Sequence, residues 1–174
     1  MLQLIKRSPD YVAGYREYCR EVYDSGVLYF RPTNPESIDD GWFARTKPLY
    51  DKKEQGLLAG YPKGFHYWAV DGDRFVGEFQ LRTEFPERVM NELGSIGYAV
   101  RPSERRKGYG TEILRQGLDI ARQKGMEKVL LTINDENVAS IRLCEKLGGV
   151  LWDTVRVCNE AEGQHLLRRY WVYL

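Results

Sequence analysis

Hydrophobic residues recur along this chain with two periods, and the switches between them divide it into elements. Leu2-Gln3-Leu4-Ile5 reads as a short strand. Ser8-Pro9-Asp10 then signals a helix start, with Ser8 as N-cap and Pro9 in the first helical position. Tyr11, Tyr15, Tyr18, Cys19 and Val22 make a helical stripe over Tyr11 to Tyr23, closed by Asp24-Ser25-Gly26. An aromatic stripe at this spacing is read as core. Between residues 27 and 64 the period fades. Arg31-Pro32-Thr33-Asn34-Pro35 is loop, and Ser37 is placed to cap a second helix from Ile38 towards Lys53, interrupted by Pro48. Gly56, Gly60, Pro62 and Gly64 mark a further connection.

The second half is more regular. Phe65 to Val70 and Arg74 to Leu81 flank Asp71-Gly72-Asp73, which predicts a hairpin. Arg82 to Leu93, containing Pro86, is a polar connection. In Gly94 to Val100 the larger residues Ile96, Tyr98 and Val100 alternate with small ones, a period of two, and Pro102 ends ladder pairing. From Thr111 the apolar positions Ile113, Leu114, Leu118 and Ala121 recur at helical spacing and stop near Gly125. Lys128 to Asn134 is a nearly continuous apolar run, expected of a strand covered on both faces. Asn137 to Leu147 is amphipathic through Val138, Ile141, Cys144 and Leu147, and ends at Gly148-Gly149. Val150 to Val157 and Leu167 to Tyr173 are two closing strands around the polar turn Asn159 to Gln164. This order predicts one mixed sheet covered by helices.

Composition narrows the class. The chain has 174 residues, enough for one domain with a substantial core. Lys plus Arg is 26 against 25 Asp plus Glu, so no global basic field points to nucleic acid. Cys19, Cys144 and Cys158 are odd in number and widely spaced, which gives neither a disulfide framework nor a zinc site. With His66 and His165 as the two histidines, no cluster has metal-ligand spacing. No apolar run approaches a membrane span and the N-terminus lacks a signal-peptide core, so the cytoplasm is the expected location.

The cations that matter are local. Arg105-Arg106-Lys107-Gly108-Tyr109-Gly110 lies between the strand ending at Val100 and the helix from Thr111. Its glycines permit a tight turn that bares N–H groups at a helix N-terminus, a cradle for phosphate with cations at the rim. It is neither a Walker A loop nor a dinucleotide fingerprint, whose third glycine position is Ile113 here. Arg-x-x-Gly-x-Gly after Val-x-Pro resembles the coenzyme A pyrophosphate loop of the GNAT (Gcn5-related N-acetyltransferase) family. A second motif strengthens the resemblance. GNAT proteins carry Asn-x-x-Ala/Ser and then Tyr-Glu-Lys-x-Gly-Phe; this chain reads Asn137-Val138-Ala139-Ser140, then Cys144-Glu145-Lys146-Leu147-Gly148-Gly149. The likeness covers about residues 65 to 173, within one GNAT-like domain spanning 1–174, with 7–64 as a helical acceptor-side region. The pieces HYW, IGYAVRPSERRKGYG and RRYWVYL are similar to a bacterial subgroup of predicted acetyltransferases with unassigned substrates.

The resemblance implies an α+β fold with a single mixed, splayed sheet of about six to seven strands. It implies acetyl-CoA as cosubstrate, with no metal. The pantetheine arm pairs with the strand edge Tyr98-Ala99-Val100, as an added strand would. Arg105, Arg106, Lys107, Gly108, Tyr109, Gly110 and Thr111 form the pyrophosphate loop, with backbone N–H groups of Arg106 through Thr111 as donors. Asn137 contacts the pantetheine, or caps its helix, with Ser140 one turn along.

Acyl transfer from a thioester to an amine needs a neutral amine, an oxyanion site and a proton for the thiolate. A lysine-like amine of pKa about 10.4 costs roughly 4 to 5 kcal/mol to deprotonate at pH 7. The backbone N–H near Tyr98 to Val100 is a fair oxyanion donor. The family's proton donor is the Tyr of Tyr-Glu-Lys, and Cys144 stands there. A thiol can donate a proton, but a small residue on an apolar helix face is first read as packing. Tyr98 and Tyr109 are alternative donors. Glu78, mid-strand between Val76 and Phe79, is the candidate base; Glu84 and Glu92 are nearer loops, and His66 reads as base or core. Two further readings stand beside an N-acetyltransferase of small-molecule or peptide amines. One is a catalytically silent acyl-CoA-binding module or sensor. The other is a nucleotide or nucleic-acid binder, which the balanced charge disfavours. A homodimer is compatible with the enzyme reading, with no membrane or nucleic-acid partner.

Overall fold

The computed structural model describes residues 1–26, 33–159 and 163–174. Arg31, Pro32 and part of the polar turn expected after Asn159 lie outside them. β1 (Leu2–Lys6), β2 (Gly64–Asp71), β3 (Arg74–Arg82) and β4 (Ile96–Val100) form one antiparallel sheet in chain order. β5 (Lys128–Asn134), β7 (Gly163–Tyr173) and β6 (Gly149–Asn159) form a second, in the order β5-β7-β6. Among the described residues the expected single mixed sheet is instead split into two antiparallel halves of four and three strands, because no ladder joins β4 to β5. Its halves touch where the Ser95 N–H donates to the Leu130 carbonyl at 2.6 Å and the Leu130 N–H to Ser95 Oγ at 3.0 Å. Beyond that point β4 and β5 separate.

Two cores sandwich the first sheet. On one face, Phe79 and Leu81 of β3, with Ile96, pack against α3 (Tyr109–Gln123) and on to the second sheet. The approach is close enough that a Cβ on Gly117 would lie 2.1 Å from Phe79 Cε2. On the other face α1 (Val12–Asp24) lays its predicted stripe on Trp68 and Phe75. Tyr15 stacks on Trp42 at 5.2 Å and Trp68 at 5.0 Å, and each such pair adds about 0.5–1.5 kcal/mol beyond burial.

Several expectations need correction. Ser37 does not cap the second helix: Pro35–Ser37 is a 3-10 turn capped by Asn34, whose side chain accepts from the Glu36 N–H at 3.0 Å. α2 begins at Trp42 and runs to Gln55. Pro48 lies inside it without ending it, at the cost of one backbone bond. The connection after β3 contains a π-helical turn, Val89–Leu93. Finally, Val138 is exposed although α4 (Val138–Lys146) buries Ile141 and Cys144. It is the first helical residue, and the apolar face engages the core one turn later.

Candidate active site

Period-two alternation makes β4 the wall of a cleft. The Arg101 N–H donates to the Val76 carbonyl at 2.8 Å, and the Arg82 N–H to the Ser95 carbonyl at 2.7 Å. With the register Gly97↔Gln80 and Ala99↔Glu78, these bonds fix which amides the ladder uses. Gly97 and Ala99 spend theirs on β3. Ile96, Tyr98 and Val100 turn their N–H and C=O groups into the gap beside β5. Ala99 thus offers the cleft its side chain only, a correction to the expected edge contact. The cleft between the two sheets holds about 960 Å³.

The loop after β4 closes one end. Arg105 Nε reaches the Val100 carbonyl at 3.4 Å. Arg106 has φ 67° and Gly108 φ 86°, so two residues of the turn are left-handed. Successive N–H groups then converge on one side, the nest geometry that holds anions. Among the described residues no hydrogen bond uses the backbone N–H groups of residues 106–110. They sit at the positive end of the fifteen-residue α3. A Cβ on Gly108 would meet nothing within 4 Å, so the space over the turn is open. Thr111 departs from expectation: its N–H donates to the Gly108 carbonyl at 3.1 Å, the first bond of the helix. Lys107 pairs with Glu104 at 2.9 Å, which leaves Arg105 and Arg106 as rim cations with no acidic partner among the described residues. The Tyr109 hydroxyl donates to Asp71 at 2.7 Å, which removes it as a proton donor to the cleft.

α4 supplies the opposite lip. Asn137 caps it by accepting the Ser140 N–H on Oδ1 at 3.2 Å, which leaves its side-chain NH2 for a cleft ligand. Ser140 Oγ lies 2.9 Å from the Tyr98 hydroxyl, and both line the cleft. Burial pushes the Tyr98 phenol up to about 12, against the lowering effect of Ser140.

Two candidates lie elsewhere. Cys144 is fully buried in the main core, outside the cleft wall, and burial pushes its thiol up to about 12. A Cβ on Gly149 would stand 2.5 Å from its Sγ, so the sulfur is enclosed. Glu78 is 2% exposed; it accepts from the Tyr18 hydroxyl at 3.0 Å and is joined to His66 Nε2. Its carboxylate braces α1 against β2 and β3 and does not line the cleft. Gln80 and Arg82, next along that face of β3, do line it, as do Asn91 and His165. The pattern Glu78, Gln80, Arg82 at a period of two was the signal that this face of β3 is polar beneath the helices.

Residues 28–149 match the model of the acetyltransferase (GNAT) family. A mycothiol acetyltransferase of Streptosporangium roseum is 34% identical over 90 residues, 52% of this chain and 23% of the relative. The L-amino acid N-acyltransferase MnaT of Escherichia coli is 28% identical over 140 residues, 75% of this chain and 72% of that protein. The chain thus spans about a quarter of the length of the mycothiol acetyltransferases it matches, 23% and 28% for two of them. In fold it is similar to RimL, a ribosomal L7/L12 alpha-N-protein acetyltransferase in complex with coenzyme A. The TM-score is 0.74 at 13% identity, covering 99% of this chain and 94% of that one. The open strand edge, the unpaired N–H cradle and the family match over most of the chain agree, and the chain belongs to the acetyltransferase (GNAT) family.

Proposed function

We propose that this protein transfers the acetyl group of acetyl-CoA to an amine by direct attack. The observation that carries the reading is the run of unpaired backbone N–H groups at residues 106–110, opening onto the free amide edge of Tyr98 and Val100. That is a pyrophosphate cradle continuous with a pairing edge for an extended amide-bearing arm. Five donors at a helix N-terminus and an unpaired edge fit coenzyme A without invoking the sequence motif.

Acetyl-CoA supplies the activated thioester. The chain's own groups do the rest. The amides of residues 106–110 and Arg106 hold the diphosphate, and the Asn137 NH2 and the Val100 edge orient the arm. The Tyr98 N–H, fixed in the β4 ladder, points at the gap and stabilises charge developing on the acyl oxygen. The Tyr98 hydroxyl, steadied by Ser140, donates a hydrogen bond to the departing thiolate. With its pKa near 12 against about 8.5 for a thiol, full proton transfer would cost roughly 5 kcal/mol. Its role is therefore hydrogen-bond stabilisation: as the C–S bond breaks the thiolate takes its proton from water, and the nitrogen that has formed the new C–N bond gives up its proton to water. The family's tyrosine position is filled by Cys144, enclosed in the core, and Tyr98 on the neighbouring strand reaches the same helix one turn earlier. Neither Glu78 nor Cys144 takes part: the first is structural and the second packs.

The region 7–64 forms the acceptor side of the same domain. The compared proteins are named for different acceptors, so their names do not choose one. The test is release of free coenzyme A when the protein is mixed with acetyl-CoA and a panel of amines. Tight acetyl-CoA binding with no thiol release from any amine would favour the silent-module reading instead.

A further inference from the structure

Resting on the acetyl-transfer reading, the acceptor side of the cleft carries a feature that the transfer itself does not use. Arg82 is the last residue of β3 and lines the cleft, on the face opposite the α3 core. Its guanidinium donates to the Gly94 carbonyl at 3.3 Å and to Gln80 Oε1 at 3.2 Å. No carboxylate lies within ion-pair distance of it among the described residues. The nearby acids are committed: Glu92 pairs with Arg88 at 3.7 Å, Glu84 accepts the Lys63 N–H at 3.0 Å, and Glu78 holds Tyr18 and His66.

A second cation crowds the first. A Cβ on Gly64 would stand 3.5 Å from Lys53 Cε and 3.6 Å from Arg82 Cγ, so the two side chains meet across that glycine. Lys53 comes from α2 and also has no acidic partner among the described residues. Burial, with Arg82 adding to it, lowers the Lys53 pKa. Glu78 offsets this in part, but its carboxylate is already held by Tyr18 and His66, and two partly buried, mutually repelling cations with no carboxylate at ion-pair distance among the described residues are costly in the free protein. A bound anion would relieve that cost.

The position says which anion. Arg82 Nη1 is 3.9 Å from where a Cβ on Gly97 would stand, and Gly97 precedes Tyr98, whose N–H faces the acyl position. The guanidinium therefore stands one residue from the reacting centre. In an α-amino acid the amine and carboxylate share one carbon, so the carboxylate oxygens lie roughly 3 Å from the nitrogen. An amine set for attack beside Tyr98 would place such a carboxylate against Arg82, which can grip it bidentately. We propose that Arg82, supported by Lys53, is the anchor for the α-carboxylate of the acceptor, and that the acceptors are free L-amino acids.

The test compares thiol release from acetyl-CoA with each of the twenty free L-amino acids and with the corresponding L-amino acid amides, all at one pH. The expected result is turnover of at least one free amino acid, with its amide lower in kcat/KM by about thirtyfold, the cost of one lost charged pair. Arg82→Gln should raise KM for the free acid by a similar factor, bring the ratio of free acid to amide in kcat/KM close to one, and leave acetyl-CoA affinity by calorimetry as in the parent. Lys53→Gln should act in the same direction, more weakly. Amides turned over as well as free acids, or no amino acid turned over while acetyl-CoA binds and simple amines react, would overturn the carboxylate anchor and leave the transferase reading standing. Failure of acetyl-CoA to bind the parent would instead overturn the transferase reading.

Discussion

The two ends of the cleft are built by opposite means. The end proposed to receive the diphosphate is main chain: five amides of one continuous turn, an adjoining strand edge and one helix cap. The other end is side chains gathered from β3, the turn after it and β7. Main-chain donors are indifferent to side-chain identity, so such a site survives wide sequence change provided the φ angles are kept. A side-chain site can be retuned residue by residue. One molecule thus pairs a fixed cofactor end with an adaptable acceptor end, and substitutions should separate the two.

The largest separation is expected at Gly108. Its φ of 86° suits glycine, and a β-branched residue there both strains the turn and fills the open space above it. Gly108→Val should lose two or more charge-assisted bonds to the diphosphate, which is about a hundredfold in acetyl-CoA affinity by calorimetry. Unchanged affinity would show that the cradle is not where the diphosphate sits. The acceptor-side counterpart is the Arg82→Gln experiment, with its effect confined to KM for the free acid.

Tyr98→Phe probes the boundary between the ends. Removing the hydroxyl should lower kcat about tenfold, the worth of one hydrogen bond to a developing charge, and leave acetyl-CoA affinity alone. A kcat equal to the parent's would reduce Tyr98 to a partner of Ser140. Cys144→Ala should keep kcat within about threefold, since the buried thiol is remote from the cleft wall, and cost ~1 to 2 kcal/mol in urea unfolding through the small cavity it leaves. A kcat loss of a hundredfold would restore the thiol as an acid. Cys144→Tyr is not expected to fold well, because the sulfur already abuts Gly149.

The smallest effect concerns the scaffold of the acceptor end. Arg169 Nε donates to Asp153 at 2.6 Å, and its Nη1 donates to the Met90 carbonyl at 3.0 Å and to Asn91 at 3.1 Å. The hydrogen bond from Arg169 holds the Asp153 carboxyl below its ordinary value. A depressed carboxylate contributes stability above its unfolded pKa of about 3.9 and loses it as pH falls through the folded value. Asp153→Asn should therefore melt at a lower temperature than the parent at pH 7, with the gap narrowing below about pH 4. A gap that stayed constant into acid would mean that the charge on Asp153 contributes nothing.

Sequence alone determined most of what is local. The α1 stripe, the β2–β3 hairpin, the alternation of β4 and the Asn137 cap all follow from period, cap and turn chemistry, which act over a few residues. So does the turn proposed to hold the diphosphate, since its donors are consecutive. Tertiary structure decided the rest. Whether β4 and β5 pair or part depends on the whole stack of packed layers, and that parting creates the cleft. Ladder phase turned the Tyr98 and Val100 amides into the gap and the Ala99 amide away from it, a choice no side chain records. Glu78 and Cys144 looked reactive as letters, yet packing placed one under α1 and the other behind α4. Arg82 and Lys53 were read only as the bounds of a polar connection and of a helix, and the fold brought them together with no ion-pair partner among the described residues. The physical reason is one of range: backbone preference is settled between near neighbours, whereas the solvation and partners of a charge are settled by residues distant in the chain.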